Sequence, residues 1–220
     1  MGNRGTISEG DVQWMTAGSG IIHQEMPKGD QKGRMHGFQL WSNLPSSLKM
    51  TAPRYQEIHA ADIPEVTDDD GTRVRVICGS LWGAVGPVVG VASEPHYIDV
   101  SVPPNRKKSI PVETSRHAFA YVFAGSGRFM NGSDLRPVAT EYAGTGPQAG
   151  VAAENRSLVL FDAGDEVTVL AGEEGIRFLL VSGKPIGEPV AWQGPIVMNT
   201  PEELRQAYAE LRDGTFLRGG

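Results

Sequence analysis

The sequence contains very little cysteine: Cys78 is the single one among 220 residues. One thiol excludes an internal disulfide and supplies no cysteine cluster for zinc, so a reducing intracellular compartment is expected. Cys78 itself lies in an apolar run and is interpreted as a small core residue. No apolar run approaches the roughly 18 to 20 residues of a membrane-spanning helix, and no signal-peptide pattern precedes Ile7. We therefore expect a soluble protein of the cytoplasm, and also of the nucleus if the organism is a eukaryote.

The sequence also lacks an excess of positive charge. Its formal net charge is −6 at pH 7, and the short basic run of Arg106, Lys107 and Lys108 follows two prolines in a predicted loop. A nucleic-acid interface needs lysine and arginine clustered on one face. Direct binding to nucleic acid is therefore not expected.

Glycine and proline are abundant, with 28 Gly and 15 Pro spread along the chain. This composition is typical of many short strands joined by tight turns, so an all-β fold is predicted. Strands are predicted between turn residues in segments 6–8, 12–15, 21–25, 35–44, 63–66, 73–79 and 97–102, and apolar and polar residues alternate in 12–15, 35–44 and 97–102. Further strands are predicted at 118–123, 128–130, 157–161, 166–171 and 176–182, with a turn at 125–127 and an extended segment at 192–198.

The clearest helix signal lies near the end of the sequence. Thr200 is a predicted N-cap, Pro201 stands in the first turn, and Glu203 completes a capping box with Thr200. Gly214 predicts the C-terminal end of the helix. The apolar stripe, formed by Leu204, Tyr208 and Leu211, is expected to pack against a β-barrel.

Residues 10–27 combine turn chemistry with two good metal donors, His23 and Glu25. If residues 21–25 are extended, the period of two places both side chains on one face, where a single cation can contact both. One imidazole and one carboxylate are half of the arrangement of two histidines and one carboxylate that non-haem Fe(II) enzymes use. The pair Gly10 and Asp11 recurs as Gly164 and Asp165 ahead of another predicted strand, a faint internal echo consistent with a duplicated β unit.

Several motifs together resemble the pirin family. The resemblance rests on residues 10–27, then G-F-Q-L-W-S-N-L-P at 37–45, K-M at 49–50 and P-R-Y-Q-E-I at 53–58. It returns in R-F-L-L-V-S-G-K-P-I-G-E-P-V at 177–190 and G-P-I-V-M-N-T at 194–200. The resemblance implies a bicupin: two cupin-type β-barrels, the first incomplete in this chain, and a C-terminal helix. The implied domains are 1–90 (N-terminal cupin), 91–190 (C-terminal cupin) and 191–220 (extended tail and helix packing on the barrels).

The resemblance also implies an iron site in the first barrel. His23 and Glu25 match the His-x-Glu half of that site, whereas the two family histidines spaced one residue apart lie upstream of the hairpin that the first residues of this chain resemble. His36, His59, His96 and His117 do not restore the pattern, and His36 is the least improbable substitute. A truncated gene model, an alternative start and a shortened paralogue all remain open. Fe(II) is the implied cofactor, with doubtful occupancy in this chain.

Two functions of different classes follow from the resemblance. The first is a quercetin-type flavonol dioxygenase, in which Glu25 also serves as the base that takes the substrate proton and Trp14, Gln39 and Trp41 shape the pocket. Those three residues are also interpretable as ordinary core or barrel-lining side chains. The alternative is a non-enzymatic, redox- or iron-responsive co-regulator that binds a regulatory protein.

Overall fold

The computed structural model describes residues 5–130, 134–137 and 152–217. The chain forms two compact units. The larger comprises Thr6–Trp14 and Glu57–Pro185, and the smaller comprises Met15–Gln56 with the chain from Ile186 onward. These units follow other boundaries than the predicted domains 1–90, 91–190 and 191–220, which stay a prediction.

Strands account for most of the regular structure in the described ranges. They are β1 (Val12–Thr16), β2 (Arg54–Ile58), β3 (Glu65–Thr67), β4 (Arg73–Cys78), β5 (Ser80–Leu81), β6 (Ala84–Val85), β7 (His96–Val102), β8 (Lys107–Pro111), β9 (His117–Met130), β10 (Asp134–Pro137), β11 (Ala153–Glu154), β12 (Ser157–Leu160), β13 (Glu166–Gly183), β14 (Ala191–Gln193) and β15 (Ile196–Met198). The helical segments are α1 (Pro201–Arg212) and the 3-10 turns Ser46–Leu48 and Ala60–Asp62. The predicted all-β class with a C-terminal helix is confirmed. No helix in the described ranges is long and apolar enough to cross a membrane.

The larger unit is built on a sheet that counts nine strands in the described ranges, with the order β10-β12-β9-β13-β7-β4-β3, β11 beside β9 and β8 beside β13. Along one edge, the first half of β13 pairs with β8 and the second half pairs with β7. Along its other edge, β13 pairs with β9. One face of these strands encloses a packed apolar interior, with Val74, Val100, Val122 and Phe178 at 0 % exposure. The hairpin predicted around residues 63–79 is confirmed by the antiparallel pairing of β3 with β4.

Gly125 lies inside a continuous strand, so the turn predicted at 125–127 is wrong. β9 runs through this position, and β13 likewise joins the two predicted strands at 166–171 and 176–182 into one. β9 and β13 pair with each other on both sides of a shift in register, which lies between Ala171 and Ile176 of β13. Gly125 has φ +66° at this point, a conformation that glycine adopts without steric cost. The glycine lies at this register shift, and pairing between the two strands continues on both sides of it.

A second apolar cluster in the larger unit contains Cys78, packed with Val88, Tyr97 and Leu179. The thiol is buried and donates to the carbonyl oxygen of Val88 at 3.4 Å. Burial raises the pKa of the Cys78 thiol, so the neutral form is favoured. The interpretation of Cys78 as a small core residue is confirmed.

The smaller unit has little regular structure between β1 and β2. The strands predicted at 21–25 and 35–44 are wrong, since residues 17–53 contain no strand and the 3-10 turn Ser46–Leu48 is their one helical segment. Phe38 and Leu40, which alternation would place on one face of a strand, are 41 % and 37 % exposed. A strand requires a neighbour to accept and donate its ladder hydrogen bonds, and the described part of this unit places none beside these segments. The strand predicted at 6–8 is also absent.

The end of the smaller unit combines a hairpin and the helix. Trp192 pairs with Val197 across β14 and β15, and α1 packs on these two strands, where a barrel was expected. The capping box is confirmed: Thr200 Oγ1 accepts from the Glu203 amide at 3.2 Å, and a Glu203 carboxylate oxygen accepts from the Thr200 amide at 2.9 Å. Leu204 and Tyr208 are half-buried, whereas Leu211 is 40 % exposed, so the predicted apolar stripe ends one turn early.

Candidate functional site

The turn at residues 17–20 fixes the chain immediately before the two candidate metal donors. The Ser19 amide donates to the Thr51 carbonyl at 2.8 Å, and the Gly20 amide donates to the Ala17 carbonyl at 2.9 Å. Gly18 has φ +51°, and a Cβ atom there would lie 2.1 Å from the Thr51 carbonyl oxygen. Only glycine permits this close approach, because any side chain would collide with backbone that cannot rotate away.

His23 and Glu25 come together without a strand. Nε2 of His23 lies 3.7 Å from Oε1 of Glu25, and the two side chains are 45 % and 68 % exposed. This separation lets one cation contact both atoms, as the sequence predicts, although the backbone of residues 21–25 is irregular. A neutral imidazole and a carboxylate are donors that Fe(II) accepts, so the pair fits part of a coordination sphere. Among the residues described, no cluster of three or more His, Cys, Asp or Glu side chains is arranged to hold a metal ion.

The other histidines have different surroundings. The His36 ring lies edge-on to Phe38, with ring centroids 5.1 Å apart. Nδ1 of His59 is 3.9 Å from a carboxylate oxygen of Asp11, and His117 is exposed at the start of β9. His96 is half-buried, and burial, followed by the charge of Arg116, lowers its pKa. None of them forms a metal-holding group of three in the described ranges, so the role of His36 as a substitute ligand stays a prediction.

The predicted pocket residues occupy different places. Trp14 is half-buried in the larger unit, with its ring 6.4 Å from that of Tyr97 at an interplanar angle of 69°. Gln39 is exposed in the smaller unit. Trp41 is 57 % exposed there, and its ring lies 6.4 Å from that of Trp192. The assignment of these residues to a substrate pocket therefore stays a prediction.

Asp11 is an organising residue whose role is not evident from the sequence. Its carboxylate accepts from the Ser8 amide at 2.9 Å and the Ala60 amide at 2.8 Å. These two backbone donors are the main causes that lower the pKa of Asp11, with His59 contributing further. Asp11 thereby anchors the beginning of β1 to the 3-10 turn Ala60–Asp62. The available signal was the Gly-Asp pair in front of a strand, a common turn sequence.

Lys49 centres a polar network that composition and spacing do not reveal. Its side chain is 6 % exposed, and Nζ donates to Oδ1 of Asn43 at 2.6 Å. Burial lowers the pKa of the Lys49 ammonium against the opposing charges of Glu188 and Glu203. Glu188 in turn accepts from the Ser46 amide at 2.6 Å and from Nδ2 of Asn199 at 3.0 Å. The network joins the 43–49 loop to the 188–203 segment inside the smaller unit.

Two family models match the chain. The model of the pirin C-terminal cupin domain matches residues 97–217, and the pirin model matches residues 1–42. The chain belongs to the pirin family. The first match contains β9, β13 and α1, and the second contains His23 and Glu25. The resemblance inferred from the motifs is therefore confirmed.

Individual relatives align with nearly all of the chain. A pirin-like protein of Caulobacter vibrioides is 41 % identical over 216 residues, which cover 98 % of this chain and 71 % of the relative. Pirin-1 of Arabidopsis thaliana is 38 % identical over 214 residues, covering 96 % of this chain and 68 % of that protein. A crystal structure of quercetin 2,3-dioxygenase from Acinetobacter baumannii superimposes with a TM-score of 0.76 at 32 % identity, covering 98 % of this chain and 69 % of that one. This similarity places the chain among cupin-type proteins.

Proposed function

We propose that this pirin-family protein binds Fe(II) through His23 and Glu25 and belongs to the flavonol dioxygenase class. The observation that carries the proposal is the 3.7 Å approach of an imidazole nitrogen and a carboxylate oxygen in a chain segment matched by the pirin model. The similarity to a quercetin 2,3-dioxygenase structure supports the substrate class. The single buried cysteine supports a reducing compartment, the cytoplasm or the nucleus.

The metal and the side chains contribute different parts of the proposed chemistry. Bound Fe(II) supplies the redox chemistry with dioxygen that protein side chains lack. His23 contributes an imidazole ligand, and Glu25 contributes a carboxylate that also accepts the proton of a flavonol hydroxyl. Both side chains are accessible to a small molecule, since neither is buried. Gln39 and Trp41, which lie in the same unit as both donors, provide hydrogen-bonding and apolar surface for the flavonol.

Two donors make a weak site. Loss of even one outer partner of a metal ligand commonly lowers affinity by about 10 to 100-fold. The described residues bring no third His, Cys, Asp or Glu side chain to this pair. We therefore expect the chain to bind Fe(II) poorly. Tight stoichiometric binding in anaerobic titration calorimetry of the purified protein would contradict this expectation.

Substitutions test whether His23 and Glu25 are the residues that bind Fe(II). His23→Ala and Glu25→Gln should each abolish the residual heat of metal binding, because one remaining donor forms no chelate. His117→Ala is the matched control, since it removes an exposed imidazole from the larger unit. Equal binding by His23→Ala and the wild type would refute the assignment of the ligand.

Turnover separates the enzyme from a binding protein. Quercetin is incubated in air with protein supplied with excess Fe(II), and the loss of flavonol absorbance is followed. The proposal expects turnover that disappears in His23→Ala and persists in His117→Ala. No turnover by the Fe(II)-supplied wild type would remove the enzymatic assignment.

A second candidate function, recognition of a regulatory protein, is favoured by exposed apolar side chains in the smaller unit. Met26 is 80 % exposed, Met35 67 %, Trp41 57 % and Trp192 67 %. Exposed aromatic and methionine side chains are enriched where proteins bind one another. A partner retained by protein without quercetin turnover, and lost in a Trp41→Ala variant, would support this function over the first.

A further inference from the structure

The outer face of the sheet in the larger unit carries a cluster of arginines. Arg73 on β4 is in register with Ser101 on β7, and Ser101 is in register with Arg177 on β13. One step along, Arg75 lies between Glu65 on β3 and Asp99 on β7. Directly opposed residues share a face of the sheet, with Cβ atoms about 4.5–5.5 Å apart. The register therefore brings three guanidinium groups onto one small area.

Alternation along the strands separates this area from the apolar interior. Val74 and Val76 on β4, and Val100 and Val102 on β7, point to the opposite face and are buried in the main core. The polar residues of both strands consequently surround a hollow on the outer face. The hollow has a volume of about 140 Å³ and is lined by Glu65, Arg73, Arg75, Asp99, Ser101 and Arg177.

The charges in this hollow are unevenly paired. Arg177 forms a bidentate ion pair with Asp99, at 2.9 Å from Nε and 2.6 Å from Nη2. Its guanidinium also lies 5.0 Å from the centre of the Phe123 ring, which holds it in place. The Arg73 side chain approaches Glu65 only to 3.9 Å, and no side-chain hydrogen bond joins it to another described residue.

Arg75 has no carboxylate partner among the described residues. Its Nη2 donates a long hydrogen bond of 3.3 Å to the carbonyl oxygen of Gly10. Three guanidinium and two carboxylate groups give the hollow a net charge of +1, in a chain whose net charge is −6. The donors of Arg73 and Arg75 are thus available to an acceptor from solution.

We propose that this hollow, on Arg73, Arg75, Ser101 and Arg177, is a binding site for a small oxyanion of the phosphate type. Guanidinium groups bind phosphate oxygens through paired N–H donors, and three of them approach the hollow from adjacent strands. The hollow, with about 140 Å³, is larger than the roughly 30 Å³ that one water molecule occupies in the liquid, so it admits a ligand larger than water, such as one phosphate ion. The Ser101 hydroxyl provides a further donor for a tetrahedral ligand.

Inorganic phosphate tests the site directly. The purified chain is titrated with phosphate at constant ionic strength, balanced with chloride, and binding is followed by amide NMR. We expect saturable shifts concentrated at residues 73–75, 99–101 and 177 and at Gly10, whose carbonyl the Arg75 side chain contacts. Shifts without saturation, or saturable shifts located elsewhere on the chain, would overturn the proposal.

Single substitutions identify the donors. Arg75→Gln and Arg73→Gln should each weaken phosphate binding by at least about 10-fold, because each removes a charged donor pair. Arg73→Gln is the safer variant for folding, since its side chain is 59 % exposed and makes no described hydrogen bond. Arg177→Gln is unsuitable, because it would leave the buried Asp99 carboxylate without its partner. Arg128→Gln, an exposed arginine on β9, is the matched control and should bind like the wild type.

A second titration, with acetate, tests which chemical type of oxyanion the hollow prefers. Acetate offers a planar carboxylate with two acceptors, whereas phosphate offers a tetrahedral set with more negative charge. The proposal expects phosphate to bind at least several-fold more tightly than acetate, and both to weaken as salt screens the arginines. Equal phosphate affinity of the wild type and of folded Arg73→Gln and Arg75→Gln proteins would overturn the assignment of the site.

Discussion

Replacing Gly125 with alanine tests how the long strands β9 and β13 meet in the larger unit. Gly125 has φ +66°, and a Cβ atom placed on it would lie 2.1 Å from the carbonyl oxygen of Gly175 and 2.9 Å from its carbonyl carbon. Both contacts are with backbone, so no side-chain rotation relieves them. The two strands must therefore separate locally to admit the methyl group.

The cost has two parts. An L-residue in the left-handed region is less stable than glycine by about 1–2 kcal/mol. Separation of the strands at the pairing of Gly125 with Ile176 sacrifices one or two ladder hydrogen bonds, each with a net value of about 0.5–1.5 kcal/mol. We expect Gly125→Ala to lower the free energy of unfolding by about 2–5 kcal/mol, a large part of the roughly 5–15 kcal/mol typical of a folded domain.

Gly83→Ala is the matched control for this experiment. Gly83 has φ +80° in the same unit, but a Cβ atom there would meet nothing within 4 Å. It should cost only the conformational part, about 1–2 kcal/mol. Urea unfolding followed by tryptophan fluorescence and circular dichroism gives both values. Equal destabilisation by the two variants would refute the close approach of β9 and β13 at Gly125.

Three further predictions concern the core, the helix and pH. Phe178→Ala, at a side chain with 0 % exposure packed edge-on to Phe129, should cost about 3–5 kcal/mol in urea unfolding, whereas a cost below about 1 kcal/mol would contradict its place in the core. Thr200→Ala should cost about 1 kcal/mol by removing the capping box, with Thr200→Ser as the nearly neutral control. The pKa of His96 is lowered by burial, so as the pH falls below the ordinary value of 6.5 the unfolded chain takes up the proton first and stability decreases. The decrease of the unfolding free energy with falling pH should be smaller in His96→Asn. An unchanged pH dependence in this variant would contradict the role of His96.

Local signals predicted the features whose stabilising contacts lie nearby in the chain. The capping box joins Thr200 and Glu203 within one helical turn, so the sequence sufficed to find it. The β3–β4 hairpin was equally accessible, because Asp68 and its neighbours form a polar turn between two alternating segments. His23 and Glu25 were identified from residue type and spacing, and their side chains do approach each other.

Features that depend on distant partners were not predictable. The alternation at residues 35–44 is typical of a strand, yet no described strand lies beside it to complete a ladder. Residues 125–127 have the composition of a turn, but pairing with β13 on both sides keeps Gly125 within β9. The environment of Lys49 was hidden for the same reason, since Glu188 and Glu203 come from a remote part of the chain.

The sequence by itself determined the all-β class, the helix with its cap, the pirin resemblance and the choice of His23 and Glu25 as candidate metal donors. Each of these is encoded in residue type and in short spacing along the chain. Only the tertiary structure decided that His23 and Glu25 meet on an irregular segment, and that Arg73, Arg75 and Arg177 share one hollow. The physical reason is register: hydrogen bonds between strands far apart in sequence set which side chains become neighbours, and a shift of one residue would move every side chain to the opposite face.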